Sequence, residues 1–454
     1  MVRVAVVGAG VAGLAAALAL QDEGAEVVVL ESSSQVGGKV RVSDVGGVPV
    51  DEGADSILRR VPYAVELAVR AGFDLISPTA GAAYLWSRGR MRPLPPGTVM
   101  GMPADLGALV RSRILSPAGL ARAGLDLVLP GEPVTGDVAV GDLVRRRLGR
   151  EVVERLVDPL LGGVYAGRAD VLSLQATVPQ LAATAAQHRS LVVAARAARG
   201  TPSAGPVFAG IRGGIGHLPP VLAKDLDVRL ETTVRALDRT ASGWRLETGS
   251  AAAPAYLDVD AVVVAVPAAP AARLLAPHAA ASELAGVGYA SVGIVALVLD
   301  GPSPGEGSGF LVPAVEGRVL KGATFTSRKW GRSDATVVRC SVGRYGEERD
   351  LQRTDEELVA AVLAELSQAV GPLPPLVDSR VTRWGGGLPQ YAVGHLDLVR
   401  RLRASLPEGV AVAGAAFDGV GLPAVVRSGQ EAARALRALP TLGPWPSRPS
   451  PPAS

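Results

Sequence analysis

The start of the chain combines a long apolar run with regularly spaced glycines. Residues 2–31 read VRVAVVGAGVAGLAAALALQDEGAEVVVLE, in which a single arginine precedes about eighteen almost wholly apolar positions. Three kinds of segment share this pattern: a secretory signal peptide, a membrane anchor, and the first strand, loop and helix of a dinucleotide-binding domain.

The glycine spacing favours the dinucleotide-binding domain. Gly8, Gly10 and Gly13 directly follow the apolar strand RVAVV, a helical pattern then ends at Gly24, and the strand AEVVVLE ends at Glu31. In such a domain the first glycine allows a tight turn, the second lets the backbone approach a pyrophosphate, and the third lets the helix pack on the strand. The acidic residue after the second strand accepts a hydrogen bond from a ribose hydroxyl.

The other two interpretations fit the pattern less well. Three glycines interrupt the apolar run, and a charged helix end follows in place of a processing junction. A membrane-spanning helix needs about 20 apolar residues, and no segment reaches that length without proline or charge. The pattern predicts a soluble α/β protein, bound at most to a membrane surface.

Further glycine clusters indicate which dinucleotide is bound. They are Gly37-Gly38-Lys39, DEGADS at 51–56, GIRGGIGHLPPVLA at 210–223 and the turn within GVAVAGAAFDGVGLPAVVRSGQEAARAL at 409–436. A nicotinamide domain does not need a second glycine pair, whereas flavoproteins of the amine-oxidase type commonly carry Gly-Gly-Arg there. Lys39 keeps the cation but loses bidentate geometry. Each cluster alone is a common turn, but their order favours FAD.

Composition excludes several other kinds of chemistry. The chain has 454 residues, enough for two or three domains, and a net charge of +3 without a block of like charges, so no nucleic-acid partner is expected. A single cysteine, Cys340, excludes internal disulfides and cysteine-based metal sites, and the four histidines lack ligand spacing. We expect no metal and a reaction carried out by an organic cofactor.

Over most of its length the chain resembles the FAD-dependent amine-oxidase superfamily. Within it, the chain is most similar to the protoporphyrinogen/coproporphyrinogen oxidases, and to their bacterial coproporphyrinogen branch in particular. The motifs that carry the resemblance are DEGADSIL (51–58), MRPLPPGTVMGMP (91–103), DPLLGGVYAGRADVLSLQAT (158–177), GFLVP (309–313), ATFTSRKW (323–330) and RWGGGLPQYAVGH (383–395) ahead of GAAFDGVGLP.

The resemblance implies a reaction and a set of site residues. The reaction is the oxygen-linked oxidation of coproporphyrinogen III to coproporphyrin III in heme biosynthesis, which removes six hydrogens in three flavin cycles and produces peroxide. The residues implied for non-covalent FAD binding are Gly8, Ala9, Gly10, Ala12, Gly13, Glu31, Ser32, Lys39, Gly53, Ala54, Asp55, Ser56, Val234, Trp384, Val420, Gly421 and Leu422.

Substrate residues are harder to identify from the sequence. Arg59 and Arg60 follow GADSIL and could pair with a propionate, although surface arginines are the alternative. Tyr84, Phe325 and Tyr391 could line a macrocycle pocket, although buried aromatics usually belong to a core. No catalytic acid or base is identified, and no covalent flavin link through Cys340 is expected.

The predicted fold is α/β, with a Rossmann-type FAD-binding domain built from discontinuous segments at 1–58, 205–275 and 380–440. Segments 59–92 and 276–379 are assigned to a mixed-sheet substrate domain, and 93–200 to a helical subdomain. In the resembled family such a helical region can touch a membrane; packing on the core of a soluble protein is the alternative. The proline-rich tail at 441–454 is expected to be disordered.

Other functions remain open at this stage. They are protoporphyrinogen IX oxidation, amine oxidation or desaturation, and FAD or porphyrin binding without turnover. Amine oxidases usually place an aromatic pair before the flavin, and only Phe417 lies near the corresponding turn here. The expected partners are the porphyrinogen, molecular oxygen and a downstream ferrochelatase that takes over the product. The expected location is the cytoplasm, with peripheral membrane contact as a variant.

Overall fold

The computed structural model describes residues 1–129, 131–200, 205–279 and 281–438, so the predicted disordered tail lies outside the described residues. The strands are β1 (Arg3–Val7), β2 (Glu26–Leu30), β3 (Val42–Val45), β4 (Val48–Asp51), β5 (Ile57–Leu58), β6 (Leu75–Ile76), β7 (Ala83–Ser87), β8 (Arg90–Pro93), β9 (Phe208–Ile211), β10 (Asp227–Arg229), β11 (Ala236–Arg239), β12 (Trp244–Ser250), β13 (Ala253–Val259), β14 (Ala261–Val264), β15 (Tyr289–Leu299), β16 (Gly309–Leu311), β17 (Leu320–Phe325), β18 (Thr336–Val342), β19 (Leu376–Pro389) and β20 (Val410–Val412). The α-helices are α1 (Val11–Asp22), α2 (Tyr63–Arg70), α3 (Leu106–Ser112), α4 (Pro117–Gly124), α5 (Val140–Leu148), α6 (Arg150–Val152), α7 (Asp158–Tyr165), α8 (Leu174–Thr177), α9 (Pro179–Ala185), α10 (Leu191–Ala198), α11 (Leu218–Ala223), α12 (Ala268–Leu275), α13 (Thr326–Trp330), α14 (Asp355–Val370), α15 (His395–Ser405), α16 (Ala415–Asp418) and α17 (Leu422–Arg437).

A five-stranded parallel sheet in the order β10-β2-β1-β14-β20 forms the first layer. Val4 and Val6 of the central strand β1 pack into one hydrophobic cluster, and Ala5 and Val7 pack into a second cluster on the opposite face. Burial on both faces explains why this strand is a continuous apolar run rather than an alternating one. Segments far apart in the sequence supply its strands, as expected for a Rossmann-type sheet built from discontinuous pieces.

A seven-stranded mixed sheet in the order β19-β15-β18-β17-β16-β7-β8 forms the second large layer. Its pairs are antiparallel except β16 with β7. One face packs on α14, where Val338, Cys340 and Val342 of β18 meet Leu358 and Val362. The opposite face carries Arg339 and Trp384, which reach residues 52–55.

Two segments lie elsewhere than their predicted domain. Residues 380–389 were expected in the FAD-binding domain, but β19 pairs along β15 and is an edge strand of the seven-stranded sheet. Residues 59–76 were expected in the substrate domain, but α2 packs its Leu67 into the same cluster as α1 and α17. In both cases a long-range contact, absent from the local pattern, determines where the segment packs.

The segment from α3 to α10 is helical, as its apolar periodicity predicts. Its helices share one hydrophobic cluster, which includes Leu109, Val144, Leu161 and Val192. No helix within the described ranges is both long and apolar enough to cross a bilayer.

Candidate functional site

The loop between β1 and α1 is shaped by three glycines that differ in their surroundings. Gly8 has a φ of +106°, and a Cβ there would lie 2.8 Å from the Ala265 carbonyl oxygen. A Cβ at Gly13 would lie 1.9 Å from the Gly8 carbonyl oxygen, so only glycine lets α1 approach β1 this closely. At Gly10 nothing lies within 4 Å of the Cβ position. The loop therefore leaves an open cradle at Gly10, beside the N-terminus of α1, where a phosphate group fits.

Glu31 closes this loop and keeps acceptor capacity for a ligand. Its Oε2 accepts from the Ala9 backbone N–H at 2.7 Å, and its Oε1 accepts from the Ser33 N–H and hydroxyl, both at 2.8 Å. A carboxylate offers about four acceptor positions, so Oε2 keeps one for a ribose hydroxyl. Ser32, which is exposed, lies beside it.

A second group of residues surrounds Gly53. A Cβ at Gly53 would lie 2.0 Å from the Lys39 carbonyl oxygen, so the chain crosses itself tightly here. Trp384 donates its indole N–H to the Glu52 carbonyl oxygen at 2.9 Å, and the Arg41 guanidinium stacks 5.4 Å from the Trp384 ring centroid.

Two cations of this group lack a compensating carboxylate. The Arg41 Nε is buried and has no hydrogen-bond partner in the described chain. Burial lowers the pKa of Lys39, and no described carboxylate lies within ion-pair distance of it. Both residues follow closely on Gly38, whose Cβ position lies 3.4 Å from the Gly10 Cα. Two positive groups without neutralisation in this segment fit a ligand that carries phosphates.

Asp55 is the centre of a buried ionic network. Its carboxylate contacts the Lys329 ammonium at 3.1 Å and the Arg339 guanidinium at 3.2 Å, and Lys329 also donates to the Ser56 hydroxyl. Burial alone would raise the pKa of Asp55, but Lys329 and Arg339 outweigh it and hold the pKa below its usual range. Arg339 further donates to the Gly53 carbonyl oxygen. The network ties the 53–56 loop, in which Ala54 is exposed, to the seven-stranded sheet.

The C-terminal glycine turn lies at the start of α17. Gly421 has a φ of +97°, is exposed, and has nothing within 4 Å of its Cβ position. Leu422 is buried in the cluster that α1 and α17 share, and a Cβ at Gly429 would lie 2.2 Å from the Ala12 carbonyl oxygen. Val420 is half-buried against the helical region. The structure thus places this turn close to α1 and leaves its backbone open.

The remaining predicted residues, Val234, Arg59 and Arg60, range from half-buried to exposed. Val234 is half-buried between β10 and β11, against the cluster on the second face of the parallel sheet. Arg59 lies 3.4 Å from both the Phe208 carbonyl oxygen and the Ser77 hydroxyl, and Arg60 is exposed.

The three aromatic candidates do not share one surface. Tyr84 is half-buried, and its hydroxyl is 3.3 Å from the Glu306 carboxylate. Phe325 is 1% exposed and packs against Phe310 in the α14 core, so its side chain does not face an open cavity. Tyr391 is also buried, and its hydroxyl donates to the Ala415 carbonyl oxygen. Phe325 is therefore a core residue and does not line a pocket.

Several residues that complete the site had no sequence signal of their own. Lys329 and Arg339 are more than 270 positions from Asp55, and Arg41 lies two positions after the Gly-Gly-Lys motif. Of these three residues, only Lys329 lies in a motif that carries the family resemblance, ATFTSRKW. Within the described residues, no group of three or more His, Cys, Asp or Glu side chains could hold a metal ion.

Comparisons with known proteins agree with this geometry. The family model for flavin containing amine oxidoreductases matches residues 11–437. Coproporphyrinogen III oxidase of Mycobacterium tuberculosis strain H37Rv is 38% identical, covering 93% of this chain and 94% of the relative. The protein of the same name from Bacillus subtilis strain 168 is 32% identical, covering 95% and 97%.

The solved structures give the same result. A protein from Exiguobacterium sp. 255-15 has a TM-score of 0.85 and 31% identity, with 96% of this chain and 98% of that chain covered. These matches confirm the predicted α/β fold and the predicted family. The chain belongs to the flavin-containing amine oxidoreductase family and is a flavin-dependent oxidoreductase.

Proposed function

We propose that this chain binds FAD without a covalent bond and oxidises coproporphyrinogen III to coproporphyrin III with oxygen as electron acceptor. The observation that carries the proposal is its near-full-length similarity, at 38% and 32% identity, to two bacterial proteins named coproporphyrinogen III oxidase. When bound, the flavin takes up the hydrogens removed from the macrocycle and passes the electrons to oxygen.

One face of the seven-stranded sheet is partly open to solvent, and this supports the binding of a large flat substrate. Ile294 and Ser341 lie on the central strands β15 and β18, and Thr324 lies on the adjacent β17, yet all three are partly exposed. Gly163 and Val164 of α7 are also exposed where α7 crosses this face, with Gly163 next to Leu311. A sheet interior that reaches solvent leaves room for a ligand, and the small side chains keep its floor flat.

The cofactor residues have distinct proposed roles. The Gly8, Gly10 and Gly13 loop holds the pyrophosphate, and Glu31 holds the ribose. Lys39 and Arg41 neutralise phosphate or polarise the flavin edge. Trp384, Gly53 to Ser56, and Val420 to Leu422 flank the flavin ring, and Val234 flanks the adenine side. Arg59 and Arg60 remain candidates to pair a rim carboxylate of the substrate.

Non-covalent binding is supported by the position of the one cysteine. Cys340 is fully buried in the core between β18 and α14. Burial raises the pKa of its thiol to about 12, so the nucleophilic thiolate is scarce at neutral pH.

Protoporphyrinogen IX is the second candidate substrate, because it has the same macrocycle with two rim carboxylates instead of four. Amine oxidation has less support. Phe417, the one aromatic residue within the sequence of the C-terminal turn, is 3% exposed and belongs to the core, so it does not supply half of an aromatic pair at the flavin.

Peripheral membrane contact would use the helical region. Three consecutive side chains there, Leu127 to Leu129, are 50–75% exposed. Sedimentation with anionic vesicles should carry the protein down if this contact forms.

Transfer of the product to a ferrochelatase is likewise proposed, and rests on the proposed reaction.

Aerobic turnover tests the proposal. Purified protein loaded with FAD is supplied with coproporphyrinogen III, and porphyrin fluorescence and peroxide are followed together. We expect three peroxides for each porphyrin, because six electrons leave the substrate in pairs. Acid precipitation of the protein should release the flavin into the supernatant; flavin that stays with the pellet would contradict non-covalent binding.

A further inference from the structure

The C-terminal glycine turn, residues 414–421, is attached by side chains to the helices that flank it. The Gly414 backbone N–H donates to the Ser428 hydroxyl of α17 at 2.8 Å, and this buried hydroxyl donates to the Asp418 carboxylate. Asp418 also forms an ion pair with Arg403 of α15 at 2.6 Å. These contacts fix the first part of the turn from the side of α15 and α17.

Tyr391 contacts both ends of the same turn. Its hydroxyl donates a hydrogen bond to the Ala415 carbonyl oxygen. Burial raises the pKa of Tyr391, and the backbone N–H of Val420, which faces the phenol oxygen, acts in the opposite direction. Because a phenol oxygen can donate one hydrogen bond and accept another, this single hydroxyl connects Ala415, near the start of the turn, with Val420, near its end.

Tyr391 is itself held firmly. It is 2% exposed, and its ring packs against Tyr165 with the ring centroids 5.7 Å apart and against His395 at 4.6 Å. Its backbone carbonyl oxygen accepts from the Ser173 N–H at 2.8 Å. Tyr391 is thus anchored in the helical region, and its hydroxyl has a fixed position from which to hold the turn.

The part of the turn beyond Asp418 is left open. Gly421 is exposed, and nothing lies within 4 Å of its Cβ position. The turn leads directly into α17, and the first backbone N–H groups of a helix have no intrahelical partner. A hydrogen bond weakens steeply when its donor is misaligned. The position of the turn therefore determines how well these N–H groups can meet a ligand.

We propose that Tyr391 is a positioning residue for the flavin, whose hydroxyl holds the 414–421 turn in the geometry that binds FAD. This inference rests on the proposed function, in which Val420 to Leu422 flank the flavin ring. Tyr391 acts through the turn and not on the reacting atoms. This role also differs from lining a macrocycle pocket, because the side chain is buried beneath the turn's own backbone contacts.

The test compares Tyr391→Phe with Tyr165→Phe. Tyr165 is 8% exposed, and its hydroxyl donates to the Thr177 carbonyl oxygen at 3.3 Å, inside the helical region. Each variant removes one buried hydroxyl that is bonded to a backbone carbonyl, but only Tyr391→Phe releases the turn. We expect the Kd for FAD of Tyr391→Phe to rise about threefold to tenfold, the usual worth of one hydrogen bond, and that of Tyr165→Phe to stay unchanged.

A second measurement separates positioning from folding. The start of a helix favours negative charge, and reduction adds electrons to the flavin. We therefore expect the midpoint potential of the bound flavin to become more negative in Tyr391→Phe and to stay unchanged in Tyr165→Phe. The thermal midpoint of the apoprotein should fall in both variants, because each leaves a carbonyl without its partner. Equal FAD affinities and equal flavin potentials in the two variants would reduce Tyr391 to a folding role and overturn the proposal.

The two proposals fail in different ways, because neither flavin measurement requires a porphyrinogen. If the unaltered protein binds FAD but oxidises neither porphyrinogen, the proposed reaction fails, and the comparison of the two variants still decides the role of Tyr391. If turnover is observed and the two variants bind FAD equally well with equal potentials, the proposed function stands and the role of Tyr391 is overturned. An unaltered protein that binds no FAD would overturn both.

Discussion

At the scale of single residues, the glycine loop separates cofactor binding from folding. Gly10→Ala places a methyl group in the open cradle, where nothing of the fold lies within 4 Å of its Cβ, and the φ of Gly10 is −69°. We expect the FAD affinity to fall about tenfold or more, through loss of phosphate contacts, with little change in the thermal midpoint of the apoprotein. Flavin titration and thermal unfolding measure both quantities.

Gly13→Ala should behave in the opposite way. Its Cβ would clash with the Gly8 carbonyl oxygen, and overpacking of this kind costs about 1–3 kcal/mol of stability. We expect a lower midpoint of the apoprotein itself. Gly124→Ala, at a helical position with open space, is the matched control. An apoprotein with Gly13→Ala as stable as this control would contradict the tight packing of α1 on β1.

Lys39 is the residue at which this chain departs from the family's usual arginine. Lys39→Met removes an uncompensated cation beside the cradle, and we expect weaker FAD binding. Lys39→Arg should retain the affinity, because the charge is kept and a fork geometry is added. Equal FAD affinity for all three proteins would remove Lys39 from the cofactor site.

The sequence could predict only those parts of the site whose residues lie close together along the chain. The Gly8 to Gly13 loop and Glu31 were predictable because a strand, a turn and a helix follow one another within thirty residues. The partners of Asp55 were not, because Lys329 and Arg339 meet it only after the 53–56 loop has packed against the seven-stranded sheet.

At the scale of elements, two carboxylates hold the 51–56 segment in opposite ways. Asp51, at the end of β4, accepts the backbone N–H groups of Ile215 and Gly216 at 3.1 and 2.8 Å and so fixes the loop before α11. Burial raises the pKa of Asp51 to about 6, against the opposing effects of Arg339 and of the two backbone N–H groups. The folded state therefore favours the protonated form of Asp51, whereas it favours the charged form of Asp55.

The pH dependence of stability should differ between the two. Because the pKa of Asp51 rises on folding, its contribution to stability is present at low pH and is lost as the pH rises through about 6. Replacing it by asparagine removes this dependence. The thermal midpoint of Asp51→Asn relative to the unaltered protein should thus be higher at pH 7.5 than at pH 5. A difference independent of pH would contradict the raised pKa.

Asp55→Asn should destabilise the protein at both of these pH values. The pKa of Asp55 is lowered on folding, so its contribution is lost only in acid below both values. The substitution leaves Lys329 and Arg339 without their carboxylate, and breaking a buried pair costs about 3 kcal/mol or more. A midpoint within a degree of the unaltered protein, measured by thermal unfolding, would show that the network is dispensable.

Strand pairing also explains why the sheet to which a strand belongs was harder to predict than the strand itself. The buried strands β1, β2 and β14 of the parallel sheet were predictable from their apolar runs. β19, in contrast, reads as a strand without indicating its partner, and its pairing with β15 moves residues 380–389 to the other sheet. Trp384 nevertheless reaches Glu52, because this edge of the seven-stranded sheet lies beside the 51–56 segment.

At the scale of the whole molecule, the two large sheets have different proposed roles. In the proposed function, the parallel sheet and its glycine turns would hold the cofactor, and the partly exposed face of the seven-stranded sheet would hold the substrate. Asp55, Lys329 and Arg339 tie the 53–56 loop to the seven-stranded sheet, so a change in that sheet is expected to reach the loop. The chemistry requires few titrating groups, which agrees with a chain that has one buried cysteine and four histidines.

The most direct test of the central claim is a comparison of kcat/KM for coproporphyrinogen III and protoporphyrinogen IX. Both are measured aerobically on the same FAD-loaded protein, with porphyrin fluorescence corrected for oxidation without enzyme. We expect a higher value for coproporphyrinogen III, with peroxide formed in step. A higher value for protoporphyrinogen IX would contradict the substrate assignment. No porphyrin above the enzyme-free control from either substrate, in protein that holds flavin, would contradict porphyrinogen oxidation altogether.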